Sequence, residues 1–501
     1  MKFLDRLEQY KTFDYPAMIN KDKIITYNQL WTESDKLALY LKKEFGEDKT
    51  PIVVYGHKNP MMLVAFIACV KSGHAYVPID ISVPMNRIEG IIDSVKPPII
   101  ITTKEVIKYK DYRCLDIINE EYKVEENISI TVDDYVKTDD TYYIIFTSGS
   151  TGLPKGVKIT YDCLNNFIEW ALTLGKQPKD KKIFINQAPF SFDLSVMDLY
   201  MSLASGSTLF ALDKDTQMNY KKLFEQLNKS SANVWVSTPS FADLCLADES
   251  FNERLLPNLE LFLFCGETLT NKTALNLLNR FPKAQVYNTY GPTESTVAVT
   301  EIDVNNEVLE KYNPLPVGKA KPGSMIKIME GEKELPLGES GEIVIVGNTV
   351  SAGYFNNDSE SSLRFFDYID KDGSKKPAYR TGDKGYFIED KLFYCGRIDL
   401  QIKLHGYRIE IEDIEKNLMK VDGIEKAVVI PIYKDEKVKY LKAYCIYAYP
   451  IENTLETQKK IKDEMLKFVP EYMLPKKIKF VDNIPMTANG KVNRKLIQEI
   501  E

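Results

Sequence analysis

The sequence predicts an α/β protein in two parts: a large N-terminal domain of parallel sheets flanked by helices, with a small β-subdomain, and a smaller C-terminal α/β domain. Three observations predict it. Up to about Tyr135, short apolar strands alternate with helical stretches, the pattern of βαβ units. Later strands run straight into polar, glycine-containing loops, as at the ligand-binding edge of an open sheet. At 501 residues the chain also exceeds one ordinary domain, and its charge changes sign near Arg397. From Arg397 to Glu501 there are 20 Lys/Arg against 17 Asp/Glu, or +3, which leaves −10 for the first 396 residues of a chain of net charge −7.

Composition excludes several classes. Apolar residues are 44% and charged residues 27%, as in ordinary soluble proteins. The longest apolar run, Met61–Val70, is ten residues, too short to span a bilayer, so no membrane insertion is expected. The N-terminus, Met1-Lys2-Phe3-Leu4-Asp5, lacks an apolar signal core, and a cytoplasmic location is expected. Seven scattered cysteines, never spaced C-x-x-C, argue against a disulfide framework or a zinc site. Three distant histidines make no metal cluster, and an acidic balance gives no reason to expect nucleic acid.

Taken in order, Tyr27–Glu44 is amphipathic and reads as a helix, Ile52–Tyr55 as a buried strand, and Pro60–Lys71 as a helix ending at Gly73. Pro84–Val95 is a further helix and Ile99–Thr102 a strand. Tyr142–Phe146 is a β-branched and aromatic strand that empties into Thr147-Ser148-Gly149-Ser150-Thr151-Gly152. Small residues let backbone N–H groups approach an anion, hydroxyls add donors, and Lys155 adds a point charge. The bland alternative is a flexible Ser/Gly surface loop. The abrupt strand-to-loop step and the Pro154-Lys155-Gly156 ending favour phosphate binding. No Walker A spacing fits the loop.

Thr160 can cap a helix running through Trp170. Phe190-Ser191-Phe192-Asp193-Leu194-Ser195-Val196-Met197 then opens another helix, where Asp193 on its own reads equally well as an N-cap. Leu261–Phe264 is a strand ending in Cys265-Gly266-Glu267, and Ala284–Tyr287 a strand running into Asn288-Thr289-Tyr290-Gly291-Pro292-Thr293-Glu294. Tyr290 offers a face for adenine and Asn288 an amide for its edge. Glu294 offers a hard oxygen for Mg²⁺. Gly338–Gly347 is a further strand, and Thr381-Gly382-Asp383 alone would be only a turn. Beyond residue 400, Glu410–Met419 and Leu455–Phe468 read as helices and Ile424–Tyr433 and Leu441–Tyr449 as strands. Asn489-Gly490 makes a tight turn presenting Lys491, although a lone lysine in a basic tail is usually just solvated.

Thr147-Ser148-Gly149-Ser150-Thr151-Gly152-Leu153-Pro154-Lys155-Gly156 resembles the phosphate loop of the AMP-forming adenylating enzymes: acyl- and aryl-CoA synthetases, luciferases and nonribosomal-peptide adenylation domains. About 470 residues, from near Tyr27 to Lys495, follow that family's motif order. The resemblance implies domains at 1–396 and 401–501, with a hinge at 397–400 pivoting on Asp399 and a mobile C-terminal domain. For ATP it implies Thr147, Ser148, Gly149, Ser150, Thr151 and Lys155 on the phosphates. Gly266, Glu267, Asn288, Thr289, Tyr290, Gly291, Pro292 and Thr293 would lie around the nucleotide. Asp383 would take the ribose, with Tyr394, Cys395, Gly396 and Arg397 beside it. Glu294 would hold Mg²⁺, and Arg397 and Lys491 would be catalytic, Lys491 touching both ATP and the amino acid. Asp193 sits where amino-acid-activating members place a carboxylate against the α-ammonium. An unpaired buried ammonium costs several kcal/mol, so this acid separates amino-acid from fatty-acid or aryl substrates. Leu194, Met197, Cys265, Thr289, Val297 and Ala298 would line a small pocket.

The strings around Asp193 and Cys265 are most similar to members that load D-alanine for teichoic acid esterification. The expected substrates are therefore D-alanine and ATP, and the expected partner a separate phosphopantetheinylated carrier protein. Cys265 is the expected chirality filter. A stand-alone adenylation enzyme for another small amino acid, an acyl-CoA ligase and a non-catalytic nucleotide-binding relative remain open.

Overall fold

The computed structural model describes residues 1–103, 107–119, 122, 129–149, 154–175, 181–434, 437–449, 452–486 and 492–498. By contacts the chain divides into two units. One comprises Met1–Ile81, Ser94–Phe146 and Gly156–Ile398. The other comprises Ser82–Asp93, Thr147–Lys155 and Asp399–Glu501.

The first unit is built on sheets whose strands are apolar on both faces, as parallel strands covered by helices must be. One sheet, among the described residues, orders its strands Lys319–Ala320, Thr300–Asp303, Gln285–Tyr290, Leu261–Phe264, Val234–Ser237, Ile183–Asn186, Thr208–Ala211, Pro16–Asn20 and Lys23–Thr26. Its centre is parallel, with Val234 level with Leu261 and Phe264 level with Asn288. A second sheet runs Cys114–Asp116, Ile100–Thr102, Ile52–Gly56, Tyr76–Asp80, Thr141–Thr147 and Lys155–Thr160. The helix Met61–Lys71 is buried from Met62 onward, which accounts for the ten-residue apolar run as core. Thr160 caps Tyr161–Ala171 as expected, its hydroxyl accepting from the Cys163 N–H. An antiparallel sheet of Ser324–Glu330, Gly341–Gly347, Lys375–Ile388, Phe365–Ile369 and Lys391–Arg397 forms the β-subdomain.

Two local expectations are corrected. The strand expected to stop at Tyr287 continues to Tyr290, because Thr300–Asp303 pairs with it antiparallel through Tyr290. Thr381-Gly382-Asp383 is no turn but part of the 14-residue strand Lys375–Ile388, with φ +68° at Gly382 and a register shift just after Asp383.

In the second unit the hairpin Gln401–Leu404/Tyr407–Glu410 leads into the helix Ile411–Leu418. The strands Ile424–Lys434, Lys437–Tyr447 and Lys477–Phe480 form a sheet, accompanied by the helix Leu455–Met465. Its core gathers Ile414, Leu418, Val429, Ala443, Met465 and Met473. No helix of the described residues is long and apolar enough to cross a membrane.

Candidate active site

The parallel strands Ile183–Asn186, Leu261–Phe264 and Gln285–Tyr290 deliver three loops from their carboxyl ends, where an open sheet presents a ligand. After the first strand, six residues lead to Asp193, directly before the helix Leu194–Ala204. All eleven residues of that helix are buried. Asp193 stands at the N-cap position, yet its side chain caps no helical N–H. Its Oδ2 instead accepts the Thr293 hydroxyl at 2.6 Å. The Ser195 and Val196 N–H groups donate instead to the Phe192 and Asp193 carbonyls, and a carboxylate turned away from them is the opposite of a capping arrangement. Burial first, then Tyr76 and the Asp193 charge, hold the nearby Tyr143 phenol well above its ordinary range.

Cys265 follows the second strand and is buried, with its Sγ 3.5 Å from the Val297 carbonyl oxygen. Thr289, level with it on the next strand, donates its hydroxyl to the Phe264 carbonyl at 2.8 Å. Thr296 and Val297 both lie in the left-handed region, at φ +61° and +69°. The Ala298 N–H donates to the Thr296 carbonyl at 2.8 Å, which closes a γ-turn on Val297. Positive φ at two successive β-branched residues is costly and persists only where the surroundings enforce it. Gly291 is part of that enforcement: a Cβ there would meet the Ala298 Cα at 2.6 Å. Leu194, Met197, Cys265, Val297 and Ala298 belong to one apolar cluster.

The nucleotide motifs meet around Asp383. Its Oδ2 accepts the Tyr290 hydroxyl at 2.6 Å, and its Oδ1 accepts from Arg397 at 2.8 Å. Arg397 also donates to the Thr381 carbonyl at 2.8 Å. Burial, reinforced by Asp383, pushes the Tyr290 phenol well above its ordinary range. Tyr290 is only 4% exposed, and its ring lies 5.9 Å from that of Tyr394. Asn288 spends one amide hydrogen on the Pro316 carbonyl at 2.8 Å. Gly266 holds φ +91°, and Glu267 accepts from the Ser240 N–H at 3.1 Å. Pro292 precedes the short 3-10 turn Thr293–Ser295, whose Glu294 is buried and accepts the Tyr354 hydroxyl at 2.8 Å.

The structure thus brings together Asp193 with Thr293, Cys265 with Val297, and Tyr290 with Asp383 and Arg397. Tyr354 is a contributor that sequence reasoning missed, for it lies 60 residues from Glu294 and carries no local signal. Cys395 is exposed, and Gly396 takes φ +97°. Thr147, Ser148, Gly149, Lys155 and Asp399 belong to the second unit, where the Ser148 hydroxyl donates to the Arg408 carbonyl at 2.8 Å. The Asp399 carboxylate there accepts from the Gln401 N–H at 3.1 Å. Ser150, Thr151 and Lys491 lie outside the described residues.

Known proteins share this architecture. An AMP-binding enzyme family model matches residues 5–355, and an AMP-binding enzyme C-terminal domain model matches 413–491. D-alanine–D-alanyl carrier protein ligases from Bacillus licheniformis and Bacillus anthracis are each 46% identical, over 100% of this chain and 99% and 100% of theirs. Among solved structures, the o-succinylbenzoate CoA synthetase of Bacillus subtilis superimposes with a TM-score of 0.84 at 20% identity, covering 99% of this chain and 98% of that one. The Vibrio cholerae adenylation domain AlmE, solved with glycyl-adenosine-5'-phosphate, gives 0.82 at 21% identity, covering 99% and 96%. At that identity the structures speak for the fold alone. The chain belongs to the AMP-binding enzyme family and, within it, to the family of the D-alanine–D-alanyl carrier protein ligases.

Proposed function

We propose that this protein activates D-alanine with ATP, forming D-alanyl-adenylate and pyrophosphate, and then passes the alanyl group to the phosphopantetheine thiol of a separate carrier protein, releasing AMP, for D-alanylation of teichoic acid. The observation that carries this reading is the Asp193–Thr293 bond. It joins the only acid of the Phe190–Met197 string to the loop of the nucleotide motif, so a charge for the substrate's α-ammonium and groups for its activator share one site. Identity across the whole length of the D-alanine ligases supports the choice of acid.

Catalysis here is positioning and charge neutralisation. Asp193 orients the amino acid so that its carboxylate reaches the α-phosphate. Asp383, held by Tyr290 and Arg397, presents its remaining lone pairs to the ribose. Glu294 supplies one hard oxygen steadied by Tyr354. No group of three or more ligating side chains occurs among the described residues, so Mg²⁺ would depend on phosphate oxygens and water for the rest of its shell, its usual habit. That ion neutralises phosphate charge when bound. Lys491 brings a compact charge to the same phosphate and carboxylate.

A pyrophosphate-release panel across D- and L-amino acids and simple acids tests the reading. Release with D-alanine in clear excess over L-alanine, glycine, acetate and benzoate is expected. Equal release with acetate or benzoate would replace it with an acyl-CoA ligase, and silence with every acid would leave a nucleotide-binding protein.

A further inference from the structure

We propose that Lys58 is a positioning residue for the amino-acid site, clasping the ends of two strands so that the segment between them and the next helix delivers Asp193 in place. Lys58 sits just beyond the strand Ile52–Gly56, in the left-handed region at φ +48°, and only 1% of it is exposed. Its ammonium donates to three backbone carbonyls, those of Asn186 at 3.0 Å, Gln187 at 2.7 Å and Leu212 at 2.8 Å. An ammonium has three hydrogens, and all three are spent.

Those carbonyls end the parallel strands Ile183–Asn186 and Thr208–Ala211. Lysine is an expensive way to join two strand ends, because a buried cation carries a heavy desolvation penalty. Burial indeed pushes its ammonium down to about 7, against the pull of Asp198, Asp80 and Asp213. The surrounding hydrogen bonds are arranged to keep it. The Lys58 carbonyl accepts from Asn20 at 2.8 Å, and the neighbouring His57 bridges Asp80 and the Lys214 N–H.

Gln187 begins the segment that ends at Asp193. At the far side, Asp198, one turn and a half into the following helix, accepts from the Asn186 amide at 2.9 Å. The segment is thus tied down at its start by Lys58 and braced from its helix to the same strand end. Gln217 adds a second tie, donating to the Gln187 carbonyl at 2.9 Å and to Leu212 at 2.6 Å. A displacement of about 1 Å in a substrate-orienting group costs on the order of a hundredfold, so slack in this clasp would be felt by the amino acid before ATP.

The inference rests on Asp193 as the ammonium-binding group, and the experiment separates the two. D-alanine and ATP are varied independently in pyrophosphate release by wild type, Lys58→Met, Lys58→Arg, Gln217→Ala and Asp193→Asn, with thermal unfolding measured alongside. Lys58→Met is expected to raise the D-alanine KM about tenfold or more while the ATP KM stays within about twofold, with partial recovery in Lys58→Arg. Gln217→Ala, at a partly exposed position, is expected to raise the D-alanine KM about twofold to threefold. Equal loss for both substrates, or no change for either, would overturn the role of Lys58. If Lys58→Met fails to fold, an unchanged D-alanine KM in Gln217→Ala overturns it. An unchanged D-alanine KM in Asp193→Asn would instead overturn the reading of Asp193.

Discussion

The Tyr290 hydroxyl donates to the Asp383 carboxylate at 2.6 Å, joining two strings 93 residues apart in the chain. Each string alone is compatible with an ordinary turn. Together with Arg397 on the other carboxylate oxygen, they fix an acid that is 1% exposed on the interior strand Lys375–Ile388 of the β-subdomain. Tyr290→Phe removes a hydrogen bond to a charged group, worth about 1.5–3 kcal/mol. The expected outcome is a raised ATP KM with the D-alanine KM little changed, together with a lower unfolding temperature. Wild-type ATP dependence in pyrophosphate release would refute the assignment of Asp383 to the ribose.

Gly291→Ala tests the γ-turn from outside it. The added methyl would lie 2.6 Å from the Ala298 Cα and 3.0 Å from the Val297 carbonyl oxygen, both backbone atoms that cannot swing aside. Overpacking of this kind costs about 1–3 kcal/mol. Lower thermal stability and a raised D-alanine KM are expected. Unaltered values for both would show that the turn at Val297 yields freely.

Cys265→Ala removes the sulfur that faces the Val297 carbonyl and, if Cys265 is the proposed chirality filter, opens room beside the substrate's Cα. The D-over-L-alanine ratio of kcat/KM is expected to fall about tenfold, the scale of one small group in an apolar pocket. If discrimination is unchanged, Cys265 is not the chirality filter.

Lys491→Ala is expected to lose adenylation by about a hundredfold or more, as removal of one transition-state donor does. Transfer from supplied D-alanyl-adenylate to the carrier thiol should survive. Equal loss of both halves would point to a folding defect or a wrong assignment.

Lys58 makes a stability prediction distinct from its kinetic one. Its folded-state pKa of about 7 lies below the ordinary lysine value of 10.5, so between these limits the unfolded chain binds the extra proton. Stability then rises with pH in that window as far as this group is concerned, and the burden of burying the charge is greatest below it. The facing charges are Asp198, Asp80 and Asp213. The unfolding temperature of wild type relative to Lys58→Met should climb from about pH 7 to about pH 9. Parallel curves would contradict a depressed ammonium.

Elements with a strong local signal were legible in the sequence. The helix at Tyr27–Phe45, the Thr160 cap and the strand Leu261–Phe264 lie within a residue of expectation, because periodicity and capping are local. Boundaries set by a neighbour were not. Asn288-Thr289-Tyr290 reads as the start of a turn, and only the antiparallel Thr300–Asp303 makes it strand. At the site, the strings naming Asp193, Thr293, Tyr290 and Asp383 were readable, but their pairings span about a hundred residues and are tertiary. Tyr354 and Lys58 sit in no recognisable string. Lys58 in particular shows nothing locally of its burial, since a lysine between His57 and Asn59 looks like loop surface.

The helix Leu194–Ala204 has no face left to solvent. A stretch so enclosed offers evolution, or an engineer, few silent substitutions: truncating the fully enclosed Met197 would cost about 2–5 kcal/mol before any new acid was accommodated. Retargeting the proposed activity to a bulkier monomer should therefore proceed through Cys265 and the γ-turn at Val297, sparing the enclosed helix.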